Sequence, residues 1–311
     1  MELLKKILAD RTAKTLLLAV VLMLVMGSLR PEKPKGLYPG LYWAEKAAWE
    51  YCCDMVLAGD SRVLMGLSPA EMRKHLGDIN ICNFGFGGTW YSEEYIDMIE
   101  KLLDPKSSRK SIVLGISPHS LTRRDDKSGN FFETAALSKR DIFIERSFAP
   151  IIFFFEPMSL KDAMEGLFPS LAESQTNRHY YPDGWISMNK FPTRIDRELK
   201  KYRGYYEQRK VDQNNIENIL QAVSEWTKNN IRVYGYVPPS CIEMYELEDQ
   251  MSGFDEENFV MRFQKAGGIW VDVDHGGYDS FDGSHLQDTA ALEFTEYFAK
   301  YILSVEEKHR N

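Results

Sequence analysis

Three short stretches of the chain hold residues whose types and order could carry out acyl transfer. Gly59-Asp60-Ser61-Arg62 closes an apolar run, Asn83-Phe84-Gly85-Phe86-Gly87-Gly88-Thr89 closes a second, and Asp282-Gly283-Ser284-His285-Leu286 lies near the carboxyl end. A serine hydroxyl is a weak nucleophile at neutral pH and needs an adjacent base, which is usually oriented by a third group. The D-x-x-H spacing lets Asp282 and His285 share one turn, where the carboxylate can orient the imidazole and the imidazole can take a proton from Ser61. Glycines such as Gly88 let a backbone N–H approach a ligand closely, as an oxyanion site requires. Taken singly, each stretch also reads as something simpler: a common turn, a flexible loop before a helix, or an Asp cap followed by a surface histidine.

Strands and helices alternate from about residue 41, and these elements must position the three stretches. Apolar strands are predicted over 54–58, 79–82, 111–116, 231–237 and 269–273. Ser68-Pro69-Ala70-Glu71 reads as a capping box with proline at the first helical position, the helix ending near Gly77. Tyr95, Met98, Ile99 and Leu102 fall on one helical face. Ile216, Ile219, Leu220, Val223 and Trp226 stripe another helix, and a last helix runs from about Asp288 to Leu303. This alternation predicts an α/β domain over 41–311, with a five-stranded parallel sheet covered on both faces. In such a sheet ligands bind at the carboxyl ends of the strands, which is where Ser61 falls.

An aromatic-rich insertion of about residues 117–210 separates the third and fourth strands and is longer than a crossover requires. It is expected to form a lid, a substrate wall or a helical cover, with Phe148 to Phe155 in a core. Its His119 and Trp185 are candidate substrate contacts, as is Arg62 beside the nucleophile. Trp185 closes a stretch, His179 to Trp185, that reads as a sugar platform or as a structural loop. Arg62 either binds an anionic group or pairs with a carboxylate.

Residues 1–30 form the amino-terminal segment. The run LLLAVVLMLVM (16–26) follows Lys5, Lys6, Arg11 and Lys14, the layout of a signal peptide or signal anchor. The poor cleavage motif favours an uncleaved single-pass anchor, with the domain outside the cytoplasm. Residues 31–40, with three prolines, read as an extended linker. Cys52, Cys53, Cys82 and Cys241 read as buried thiols, or as a disulfide from Cys52 or Cys53 to Cys82 or Cys241 if the domain lies outside the cytoplasm. No Cys/His cluster has zinc-ligand spacing, so no metal or other cofactor is expected. The net charge of −8 and the lack of a basic stripe argue against nucleic-acid binding.

Together, GDS after the first strand, the glycine turn after the second and DxxH before the last helix resemble the SGNH/GDSL hydrolase superfamily. The resemblance spans most of residues 54–303. It implies a three-layer α/β/α, flavodoxin-like fold. It further implies Ser61 as nucleophile, Asp282 and His285 as its partners, and the Ser61 and Gly88 N–H groups as oxyanion donors. One block departs from the pattern: Ser117 stands in Gly115-Ile116-Ser117-Pro118, where an oxyanion-binding asparagine is expected. Membrane-anchored relatives that act in cell-envelope acylation are similar in this departure. The implied function is acyl transfer or ester hydrolysis on an envelope glycan or glycolipid, beside a multi-span acyltransferase. The alternative keeps the fold as a catalytically weak, membrane-tethered binding partner of such a system.

Overall fold

The computed structural model describes residues 10–30, 35–122, 129–168 and 175–310. Helix α1 (Arg11–Ser28) has no buried residue and is long and apolar enough to cross a membrane. Residues 31–34 of the expected linker lie outside the described residues. Lys35–Gly36 (β1) already pairs with a later strand, and Pro39 opens helix α2 (Pro39–Ala47). The α/β unit then runs through β2 (Met55–Gly59), α3 (Ser61–Gly66), α4 (Pro69–Leu76), β3 (Ile81–Gly85), α5 (Glu93–Leu102) and β4 (Ser111–Gly115). The insertion follows with α6 (Asn130–Ala135), α7 (Lys139–Phe155), α8 (Leu160–Leu167), β5 (Gln175–Tyr180), β6 (Ile186–Phe191) and α9 (Ile195–Gln208). The unit closes with α10 (Gln213–Lys228), β7 (Arg232–Tyr236), α11 (Ile242–Ser252), α12 (Glu256–Lys265), β8 (Ile269–Trp270) and α13 (Asp288–Arg310).

The main sheet has the order β3-β2-β4-β7-β8, all parallel. Counted along the chain this is 2-1-3-4-5, an order compatible with a flavodoxin-like fold. Successive side chains on a strand point to opposite faces, so each strand feeds two cores. Val56, Ala58, Ile112 and Leu114 pack with Tyr95, Ile99, Val223 and Trp226 on one face. Met55, Leu57 and Val113 pack with Met72, Phe294, Phe298 and Ile302 on the other. The helix from Ser68 forms with half of the expected capping box: Ser68 Oγ accepts from Glu71 N at 3.3 Å, but Ser68 N donates to Thr295 Oγ1 at 3.1 Å, and Gly77 ends the helix at φ +84°. Strand β3 runs on to Gly85, past the expected end at Cys82. Asn83 is tolerated inside it because its side-chain amide donates to the Val63 and Leu67 carbonyls at 2.8 Å each.

Two features differ from expectation. The insertion contributes β5 and β6 to a small second sheet, ordered β1-β5-β6. Phe148 and Phe155 are about half exposed (48% and 49%) instead of forming a core. Of the two readings of the cysteines the structure has the disulfide: Cys53 and Cys82 are bridged between the approach to β2 and strand β3, whereas Cys52 and Cys241 are free. Closing a loop of 29 residues' separation restricts the unfolded chain. Cys53→Ser is therefore expected to lower stability by about 2–4 kcal/mol, read as a lower urea midpoint under oxidising conditions. An unchanged midpoint would show that the bridge carries no such constraint.

Candidate active site

The site is assembled at the carboxyl end of β2, where the chain turns directly into α3. The start of α3 sits close against neighbouring strand ends because those ends are glycines. A Cβ on Gly85 would lie 2.4 Å from Leu64 N, and one on Gly115 would lie 2.2 Å from Val63 Cγ2. Asp60 caps α3, accepting from Arg62 N at 2.9 Å. Buried Tyr95 locks the turn: its hydroxyl accepts from Gly59 N at 2.8 Å and donates to Phe84 O at 2.6 Å. The result is Ser61 at the first position of α3, partly exposed.

His285 reaches this serine from the loop before α13. Ser61 Oγ lies 2.7 Å from His285 Nε2, and His285 Nδ1 lies 2.9 Å from Asp282 Oδ2. Asp282 Oδ1 also accepts from the Ser284 and His285 backbone N–H groups, each at 2.9 Å. The loop is stiff for local reasons. Ser280 Oγ donates to His285 O, Gly283 N donates to Ser280 Oγ, and Cys241 N donates to Gly283 O. Gly283 has φ +87°, a conformation that costs glycine little. The His285 ring stacks on Phe281 at 5.5 Å between centroids.

Burial alone would raise the Asp282 pKa, but attraction to the His285 ring and the three N–H donors outweigh it and bring it down to about 2. Asp282 is thus ionised across the neutral range. Its contribution to stability is present above its unfolded value of 3.8 and is lost as pH falls towards 2.

The glycine loop leaves β3 beside the turn that carries Ser61, with Phe86 N donating to Gly59 O at 3.1 Å. Buried Lys46 holds the loop's root: its ammonium donates to Gly85 O at 2.7 Å and lies 4.6 Å from the centre of the Phe86 ring. Burial depresses the Lys46 pKa well below the ordinary lysine range. Gly88 has φ +66°, and among the described residues neither its N–H nor that of Ser61 has an acceptor. An oxyanion site needs N–H donors left without acceptors in this way.

The other candidates are placed differently. The Ser117 hydroxyl donates to Asp60 Oδ2 at 2.5 Å and accepts from Ser120 N at 3.0 Å in a capping box. It is fully buried, so its proton is committed to shaping the nucleophile turn and is not offered to an oxyanion. Arg62 pairs with a carboxylate: its guanidinium meets Glu248 at 2.8 and 2.9 Å, with both side chains buried. Trp185 is also buried, donating to Met65 O at 2.9 Å and stacking on Tyr181, so it packs beneath the site and does not line it. His119 is partly buried, with Nδ1 3.9 Å from Asp60 Oδ2 and its ring against Tyr205.

Comparison with family models, curated proteins and solved structures finds no match. The site therefore rests on its own geometry. That geometry joins Arg62 and Ser284 of the two motifs to three buried residues no motif pointed to, Tyr202, Tyr206 and Glu248. Arg62 Nε donates to Ser284 Oγ at 3.0 Å, Ser284 Oγ lies 3.1 Å from the Tyr202 hydroxyl, and the Tyr206 hydroxyl donates to Glu248 at 2.7 Å. Arg62 follows the serine and Ser284 precedes the histidine, so one guanidinium spans the two halves of the site. Among the described residues, one group has metal-ligand proximity, Cys52, Cys53 and Cys82, and two of its sulfurs are used in the disulfide.

This placement ranks two substitutions. Gly88→Val strains a position at φ +66°; if the Gly88 N–H serves as an oxyanion donor, its loss is expected to cost about 10²–10³ in kcat. Ser117→Ala removes one hydrogen bond to Asp60 and no oxyanion donor, so its cost in kcat is expected to be smaller. Turnover of a short aryl ester measures both. A larger loss at Ser117 would reverse the assignment.

Proposed function

We propose that the protein is a membrane-anchored serine esterase or O-acyltransferase of SGNH type, acting on an acylated cell-envelope glycan or glycolipid. The observation that carries this reading is the continuous chain from Ser61 Oγ through His285 to Asp282, at 2.7 and 2.9 Å, between residues more than 200 positions apart. Ser61 attacks the acyl carbonyl while His285 Nε2 takes its proton, and Asp282 stabilises the imidazolium. The Ser61 and Gly88 N–H groups receive the oxyanion. His285 then protonates the departing alkoxide and leaves an acyl-serine. In the second half His285 deprotonates water or an acceptor hydroxyl, which releases the acyl group and restores the serine.

The basic residues before α1 and the Cys53–Cys82 disulfide support a domain held outside the cytoplasm, where disulfides persist. A multi-span acyltransferase is the partner that fits a transfer role there. One observation favours a second reading, a tethered binding partner of low activity: Ser117 cannot supply a third oxyanion donor. A fluorophosphonate probe separates the two. The full chain should be labelled on Ser61, and Ser61→Ala should not react. An unlabelled wild-type chain would leave the binding reading in front.

A further inference from the structure

Helices α7 and α8 of the insertion expose a run of large apolar side chains that the α/β domain does not use. On α7 these are Phe143, Phe148, Ile151 and Phe155, between 48% and 65% exposed, and Ala149 is the helix's buried residue. Phe148, Ile151 and Phe155 are spaced i, i+3, i+7, so they share one face. On α8, Leu160, Met164 and Leu167 are spaced i, i+4, i+7 and are 78%, 41% and 50% exposed. Phe168 extends the stripe at 52%. Apolar stripes of this kind on consecutive helices of a soluble face mark an interaction surface.

What covers this surface is indicated by its neighbour. The end of α1 packs directly on the end of α7. Gly27 approaches Phe154 so closely that a Cβ would meet its ring at 2.6 Å. The Arg30 guanidinium lies 4.6 Å over the Phe153 ring and donates to Glu156 O. Leu22, Met23 and Met26 of α1 face Phe154, Phe155 and Met158 across an apolar groove of about 300 Å³. The other side of α7 is bound to the domain: Arg146 pairs with Glu45 at 2.8 Å, and Tyr38 packs on Phe153. The apolar stripes are thus continuous with the helix that can cross a membrane, and the polar contacts of α7 face the domain.

We propose that α7 and α8 are a second membrane contact. They lie along the bilayer surface where α1 emerges, with Phe148, Ile151, Phe155, Leu160, Met164 and Leu167 inserted about 5–10 Å into the headgroup–acyl boundary. The domain is then seated on the bilayer through its insertion and does not swing on the residues after α1. This goes beyond the catalytic reading and does not depend on it.

The test uses the full chain carrying Cys52→Ser and Cys241→Ser, reconstituted in phosphatidylcholine–phosphatidylglycerol vesicles. Single cysteines are introduced as Phe148→Cys, Leu160→Cys and Met164→Cys in the stripes, Val20→Cys in α1, and Met261→Cys on α12 as the aqueous control. Each is labelled with an environment-sensitive NBD fluorophore. The expected result is a blue-shifted emission at 148, 160 and 164 that shallow doxyl lipids quench several-fold more than at 261. Aqueous iodide should quench 261 preferentially. Stripe labels that behave like 261 while Val20→Cys is quenched by lipid would overturn the proposal and leave a protein partner as the occupant. A water-exposed label at position 20 would remove the anchor, and the proposal with it. All stripe positions are exposed, so the substitutions leave the fold's packing intact.

Discussion

Ser61→Ala and His285→Ala are each expected to lower kcat by about 10⁴–10⁶-fold, and the double variant is expected to be hardly worse than either. The imidazole has no proton to accept once the hydroxyl is gone. The hydroxyl, without its 2.7 Å partner, remains protonated and unreactive at neutral pH. Asp282→Asn is expected to be milder by about one to two orders of magnitude, because the carboxylate orients and stabilises the ring without touching substrate. The fold should survive all three changes, since Ser61 follows the end of β2, Asp282 and His285 lie in the loop before α13, and all three are partly exposed. The measurement is turnover of a short aryl ester, with circular dichroism and urea midpoints as folding controls. Multiplicative losses in the double variant would mean that the two residues act separately. Wild-type turnover in Ser61→Ala would end the serine-enzyme reading.

The parts of this site visible in the sequence are those whose evidence is local. Asp282 and His285 are three residues apart, and the serine follows an apolar strand, so residue type and spacing suffice to bring them forward. The alternation of strands and helices likewise carries the five-stranded parallel sheet, because each strand's apolar run is long enough to be buried on both faces. What stayed hidden depends on partners far away in the chain. Ser117 has the right chemistry for a donor, but Asp60, 57 residues earlier, accepts its hydrogen bond. Arg62 and Glu248 are 186 residues apart, so neither could be paired from sequence. The Cys53–Cys82 bridge depends on β2 and β3 being neighbours, with Val56 opposite Cys82.

Two further differences have other causes. Asn83 and Gly85 are turn-forming residue types, yet they complete β3, because Asn83 satisfies its amide on two carbonyls of α3 and its following loop. Apolarity in turn does not report burial. Phe148 and Phe155 read as core from composition but face outwards, since the domain's two cores are already filled by the sheet and its covering helices. α7 is held to the domain on its other side by Arg146–Glu45 and Tyr38–Phe153, which leaves its outward apolar stripe beside α1.

Glu248→Ala is expected to cost about 3–5 kcal/mol of stability, the largest single effect on the fold foreseen for this chain. Arg62 is buried, with both terminal guanidinium nitrogens on Glu248 at 2.8 and 2.9 Å, so the substitution leaves a buried cation without its paired carboxylate and with only the more distant charge of Asp60 to offset it. It also removes the acceptor of the Tyr206 hydroxyl. Burial opposes the charge on Arg62, but Glu248 outweighs it, and the guanidinium stays protonated well above its ordinary range. Loss of the carboxylate therefore exposes the full burial cost. Replacing both partners by apolar groups, as in Arg62→Met with Glu248→Leu, should restore most of the stability, because neither charge is then buried alone. Catalysis should not recover with it. Arg62 Nε holds Ser284 Oγ at 3.0 Å, next to the histidine, and that bond is lost in the double variant. Its kcat should fall while KM changes little, as expected for a group that positions the base and does not touch substrate. Urea midpoints and steady-state kinetics on the single and double variants measure both effects. A double variant as unstable as Glu248→Ala would show that the cost lies in packing and not in an unpaired charge. A stable double variant with wild-type kcat would show that the Arg62–Ser284 bond does not hold the two halves of the site in register.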